Sequence, residues 1–141
     1  MAGGDAERWV TLGLIGLAGA AGALCRHGCT LLLGGRLHLP GAAGAAVRPL
    51  ATLGVNAAGC LAFGLVWAWT AGRGEAWTTP RLVVLTGFLG AFTTFSTFGF
   101  EVAALLREGR PGAAAAIVVA QNALGVAAAA AGIWVGSRLG G

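Results

Sequence analysis

The chain contains no lysine, and charge of either sign is scarce. Only 10% of its 141 residues are charged, against about 25% in an ordinary soluble domain. With 57% of the residues hydrophobic, that deficit excludes a water-soluble globule and predicts one small membrane domain over residues 1–141. All positive charge comes from nine arginines, scattered between apolar runs. They form no basic cluster, so nucleic-acid binding is not indicated. Acidic residues number five, and none stands in the middle of an apolar run. Three cysteines, Cys25, Cys29 and Cys60, make no CxxC pair and leave an odd thiol, which excludes a disulfide framework. Cys25 and Cys29 share a helix face but have no accompanying His/Cys set, so they read as inert thiols. No residue pattern suggests a covalent catalytic centre, and the chain is not expected to be an enzyme.

What is present is a series of apolar runs. Four spans, approximately 9–33, 50–72, 82–106 and 113–136, are each long enough to cross about 30 Å of hydrocarbon. The N-terminal run is too long, and its start too mixed in charge, for a cleaved signal peptide. It carries Gly13, Gly16, Gly19 and Gly22 at every third position, a small-residue face for close helix contact. Residues 34–48 read as a loop. Trp67 and Trp69 suit a membrane interface.

The third span holds the least lipid-like stretch, Gly87-Phe88-Leu89-Gly90-Ala91-Phe92-Thr93-Thr94-Phe95-Ser96-Thr97-Phe98. Two glycines, four hydroxyl residues within five positions and four of the six phenylalanines crowd there. Gly and β-branched Thr weaken a helix, and irregular backbone survives at membrane depth only where protein or water satisfies it. The stretch predicts either an interrupted helix facing an interior site or a small-residue packing face. Asn56, two turns inside the second span, must find a partner in lipid. It either binds helices together or lines a polar path, where its amide can offer two N–H donors. Arg26 lies within the first span, and either snorkels to the interface or places a charge in an aqueous vestibule that draws in anions.

Orientation follows the arginine bias of the loops. Arg8, Arg73, Arg81 and Arg138 fall on one side, and Arg36, Arg48, Arg107 and Arg110 on the other. A zero bias predicts a chain able to insert both ways and to pair antiparallel with itself.

The third-span stretch, together with Gly19-Ala20-Ala21-Gly22-Ala23-Leu24-Cys25-Arg26 and Thr52-Leu53-Gly54-Val55-Asn56-Ala57-Ala58-Gly59-Cys60, resembles the Fluc/CrcB fluoride-channel family over nearly the whole chain. The resemblance implies an all-α integral membrane protein of the cell membrane, with four transmembrane helices, the third broken at mid-membrane. It implies an antiparallel, dual-topology homodimer, or a pairing with a related second chain, that passively exports fluoride and lowers its cytoplasmic level. By motif position, the backbone carbonyls of Gly90 and Thr93 would hold a structural sodium ion at the dimer interface. Asn56, Phe95 and Phe98 would line the fluoride path, and Arg26 would stand in the vestibule. The family's fourth helix usually brings hydroxyl residues to the pore, whereas this chain offers Gln121 and Asn122 in an Ala-rich background.

Two other readings compete. A small four-span multidrug-type antiporter would need an intramembrane carboxylate, and the sole candidate is Glu101, late in the third run. A non-transporting assembly protein would use Asn56 and the hydroxyl-rich stretch for packing alone.

Overall fold

The structure, a computed structural model, describes residues 2–35 and 42–140. These residues are helical throughout, with short connections: α1 (Ala2–Gly35), α2 (Ala42–Trp69), α3 (Thr78–Leu82), α4 (Gly90–Phe92), α5 (Phe95–Arg107) and α6 (Pro111–Gly140). A π-helical stretch, Val83–Leu89, joins α3 to α4, so α3 to α5 make one interrupted span. Four helical segments, Asp5–Leu33, Pro49–Trp69, Glu75–Arg107 and Pro111–Gly140, are long and apolar enough to cross a membrane.

The helices outrun the apolar runs that announced them. Much of the expected 34–48 loop is helix, because α2 starts at Ala42 and carries Pro49 inside it. Proline removes one helical N–H, a loss that helices of membrane proteins tolerate when neighbours satisfy the freed carbonyl. Arg36 and His38 of that loop lie outside the described residues. At the other end, α2 stops at Trp69 and a turn follows, with Gly72 and Gly74 at φ 81° and 76°.

Helices α2 and α6 pack against each other along their lengths. A Cβ on Gly132 would collide with the Leu61 carbonyl and stand 2.8 Å from the Leu65 nitrogen. Such backbone contact is how helices associate where lipid removes the hydrophobic drive between them. Gly132→Leu is therefore expected to force α2 and α6 apart and lower stability by about 1–3 kcal/mol. Thermal unfolding in detergent, followed by size-exclusion chromatography, measures this; an unchanged midpoint would contradict the packing. Of the glycine stripe on α1, Gly22 meets the Phe88 backbone, while Gly13 and Gly16 have nothing within 4 Å. Burial is concentrated in the middle spans: 33% of the apolar window of α2 and of the interrupted span is buried, against 6% for α1 and α6. Three of the buried polar residues, Thr52, Asn56 and Thr94, sit where α2 meets the interrupted span, and Thr70 lies in the turn that follows α2.

Candidate functional site

The interrupted span breaks at Thr93 and Thr94, which are extended (φ −83°, ψ 159° and φ −149°, ψ 115°) between α4 and α5. The local sequence supports the stop. The Thr93 N–H and its Oγ1 both bond the Leu89 carbonyl, at 3.1 and 3.0 Å. The Thr94 Oγ1 then restarts the helix, accepting from the Thr97 N–H at 3.2 Å as an N-cap and donating to the Thr97 Oγ1 at 3.0 Å.

Extended backbone inside a helix bundle leaves polar groups to satisfy. Asn56 of α2 does this for Thr94. Its Oδ1 accepts from the Thr94 N–H at 2.8 Å, and its Nδ2 donates to the Thr94 carbonyl at 3.0 Å. The amide thus pairs with one residue of the break as a neighbouring strand would. Asn56 and Thr94 are both buried, at 7% and 8% exposure, so the two bonds have no water to replace them. Close approach makes this possible: a Cβ on Gly59 would run into the Thr93 side chain and the Phe92 ring.

The same bonds free two carbonyls. In a continuous helix the Thr94 N–H would bond the Gly90 carbonyl and the Thr97 N–H the Thr93 carbonyl. Here those donors go to Asn56 and to the Thr94 hydroxyl. Gly90 loses its helical partner to the Asn56 clamp, and Thr93 loses its own to the Thr94 N-cap.

Beside the break lies a cavity of about 410 Å³ between α2, α5 and α6. Asn56, Thr93, Phe95 and Phe98 line it, and Gln121 and Asn122 face it from α6. The Phe95 and Phe98 rings meet edge to face, with centroids 5.5 Å apart and planes at 66°. Phe98 is buried, whereas Phe95 is 81% exposed. The Asn122 amide bonds back to the Val118 carbonyl at 2.8 Å. The Gln121 Oε1 is buried and has no hydrogen-bond partner among the described residues.

Four of the six residues singled out from the sequence therefore share one cavity wall, and Gly90 stands just before it in the chain. Arg26 is not among them. It lies half-buried on α1, outside the cavity lining, and its side chain makes no hydrogen bond or ion pair among the described residues. The pairing of Glu101 was not read from the sequence. Its carboxylate accepts from the Thr52 Oγ1 at 2.8 Å, across α5 and α2. Thr52 lies one helical turn before Asn56 and Glu101 about two turns after Thr94, so the pair is a second polar tie between α2 and α5. No spacing in the sequence announces it.

Residues 13–133 match the family described as CrcB-like protein, Camphor Resistance (CrcB). Relatives named Fluoride-specific ion channel FluC are similar over most of their length. The protein of Nitratidesulfovibrio vulgaris is 44% identical over 123 residues, covering 87% of this chain and 90% of the relative. That of Solidesulfovibrio magneticus is 46% identical over 125 residues, covering 89% and 94%. That of Deinococcus radiodurans is 41% identical over 131 residues, covering 93% and 94%.

Proposed function

The chain belongs to the CrcB family, and from that premise we propose that it is a fluoride-specific ion channel of the cell membrane that lets fluoride leave the cell passively. The observation that carries the reading is the cavity at the helix break, where aromatic edges and amide groups converge. An aromatic ring is positive at its edge. Phe95 and Phe98 can therefore attract a partly dehydrated small anion without a full charge that would hold it. Conduction needs that balance between entering and leaving. Asn56 keeps one N–H beyond its bond to Thr94, and Gln121 adds an amide from α6. Four apolar spans make the chain a multi-pass membrane protein. The family gives no support to the antiporter or the assembly-protein reading, and the carboxylate an antiporter would use is engaged by Thr52.

The helix break also bears on assembly. Freed carbonyls are the ligands a hard cation takes, and among the described residues there is no His, Cys, Asp or Glu cluster that could hold a metal instead. Two carbonyls, those of Gly90 and Thr93, fall short of a full oxygen shell, and a second copy facing the first would double them. The fit favours a structural sodium ion on the axis of an antiparallel, dual-topology dimer. When bound there, the ion would neutralise carbonyl dipoles that otherwise repel one another. The balanced arginines fit two-way insertion. The 81% exposed Phe95 fits a surface that is completed by the partner. Arg26, apart from the cavity of its own chain, would serve as the vestibule charge.

The test is efflux from liposomes holding purified protein. Fluoride is expected to leave on addition of an ionophore that balances charge, while chloride stays. Equal release of both ions, or release of neither, would reject the channel.

A further inference from the structure

One end of the bundle gathers all five tryptophans: Trp9 at the start of α1, Trp67 and Trp69 at the end of α2, Trp77 in the following turn, and Trp134 near the end of α6. Arginines lie on their rings. The Arg73 guanidinium is 4.2 Å from the Trp69 centroid and 5.3 Å from that of Trp77, and these two rings meet edge to face at 5.2 Å. Arg81 lies 5.2 Å from Trp67. Arg73 and Arg81 both line a second cavity, of about 540 Å³, which shares only Phe63 with the cavity at the helix break.

These two arginines are held in place but chemically uncommitted. Arg73 uses its Nε on the Trp69 carbonyl at 2.8 Å, which leaves four of its five N–H donors. Arg81 makes no side-chain hydrogen bond among the described residues. Neither forms an ion pair there, whereas Arg8 pairs with Asp5 and Arg110 with Glu108. The nearby carboxylate, Glu75, is exposed and unpaired with either of them. Cation–π contact orients a guanidinium without neutralising it.

The lining also changes with depth. Arg73 stands in the turn after α2 and Thr78 and Arg81 in the short α3, whereas Leu85 lies about one turn beyond Arg81 and Phe63 nearly two turns before the end of α2. A halide would leave most of this space empty. An amphiphile with an anionic head and an apolar body matches both the volume and the gradient. Guanidinium groups bind phosphate in a bidentate fork, and basic pockets between transmembrane helices receive phospholipid heads. Tryptophans at the cavity place it at headgroup level. We propose that this cavity binds the phosphate of an anionic phospholipid, with Arg73 and Arg81 on the phosphate oxygens and Phe63 and Leu85 against the upper acyl chain.

Full-length protein in detergent, incubated with equal phosphatidylglycerol and phosphatidylcholine, tests this by native mass spectrometry. Phosphatidylglycerol is expected to be retained preferentially. Arg73→Gln and Arg81→Gln should each lower its retention by about fivefold, the share of one basic residue at an anionic surface. Arg110→Gln, at the opposite end, should change nothing. Unchanged preference in the double variant Arg73→Gln/Arg81→Gln, eluting as the wild type does, would overturn the proposal. Excess inorganic phosphate should displace little lipid, because it has no body for the apolar floor; complete displacement would overturn the lipid reading in favour of free phosphate. A measurement on the wild type needs no variant to fold: brominated phosphatidylglycerol should quench tryptophan emission more than brominated phosphatidylcholine, and equal quenching would count against the site.

Discussion

Asn56→Ala is expected to abolish fluoride flux and to destabilise the fold together. The substitution strips the buried Thr94 N–H and carbonyl of both partners at once. Each unsatisfied buried group costs about 1–3 kcal/mol, so the loss should reach roughly 2–6 kcal/mol. While Thr94 keeps its extended dihedrals it has no helical bond to fall back on. The break can respond by refolding towards helix, which would return the Gly90 carbonyl to a backbone donor, or by admitting water. Either response alters the cavity. Asn56→Asp keeps an acceptor for the Thr94 N–H but sets a buried carboxylate against the Thr94 carbonyl and repels an anion, so flux should vanish and stability should again fall. Thermal unfolding in detergent beside liposome efflux reads both quantities. A stable Asn56→Ala protein with wild-type melting would show that the clamp does not hold the break.

Replacing the two rings should do the reverse, removing flux and sparing the fold. Phe95 is 81% exposed within its chain and contributes little to the core, so Phe95→Ile should leave the unfolding midpoint of the chain nearly unchanged. Its ring edge is lost, and an aliphatic side chain offers an anion no positive rim. If the ring contributes about 1.5 kcal/mol to the anion in passage, flux should fall roughly tenfold. Phe98 is buried beneath Phe95. Phe98→Ile should add a packing cost of about 1–3 kcal/mol to a similar drop in flux. The flux must be expressed per intact assembly recovered from size-exclusion chromatography. Normal flux through intact protein carrying both changes would reject the aromatic path and return the stretch to simple packing.

The two sets of residues differ in how far the sequence revealed them. The stretch holding Phe95 and Phe98 stands out because phenylalanines are interleaved with hydroxyls in a membrane span, but the choice of these two rings comes from the family resemblance; the structure sets both on one cavity wall. Asn56 also stood out, as an amide that lipid would not tolerate alone, but the sequence left its role divided between helix contact and polar path. The structure gives it both positions at once, on the break and on the cavity. The 34–48 loop is drawn too long because its small residues before Pro49 read as loop, whereas the helix runs through them from Ala42; the apolar span itself starts at Pro49, beside the expected position 50. Glu101 was read beside the charged turn, and its contact with Thr52 joins positions 49 residues apart.

The sequence by itself determined that this chain lives in lipid, that it crosses four times, and that its third span carries a stretch ill suited to a plain lipid-facing helix. Those properties are local: a run of apolar residues must be buried over its own length, and glycine and β-branched residues weaken the helix in which they stand. Tertiary structure alone decided how the break is held and what receives its backbone groups. The reason is that a backbone group leaves its helix only when a partner elsewhere is ready to receive it. Here the receiver is the Asn56 amide, 38 residues away in the chain from Thr94, and the close passage of α2 at Gly59 brings it within reach. Tertiary packing also decided that Arg26 stands outside the cavity, since its place depends on how α1 packs against the interrupted span and not on its own neighbours in sequence.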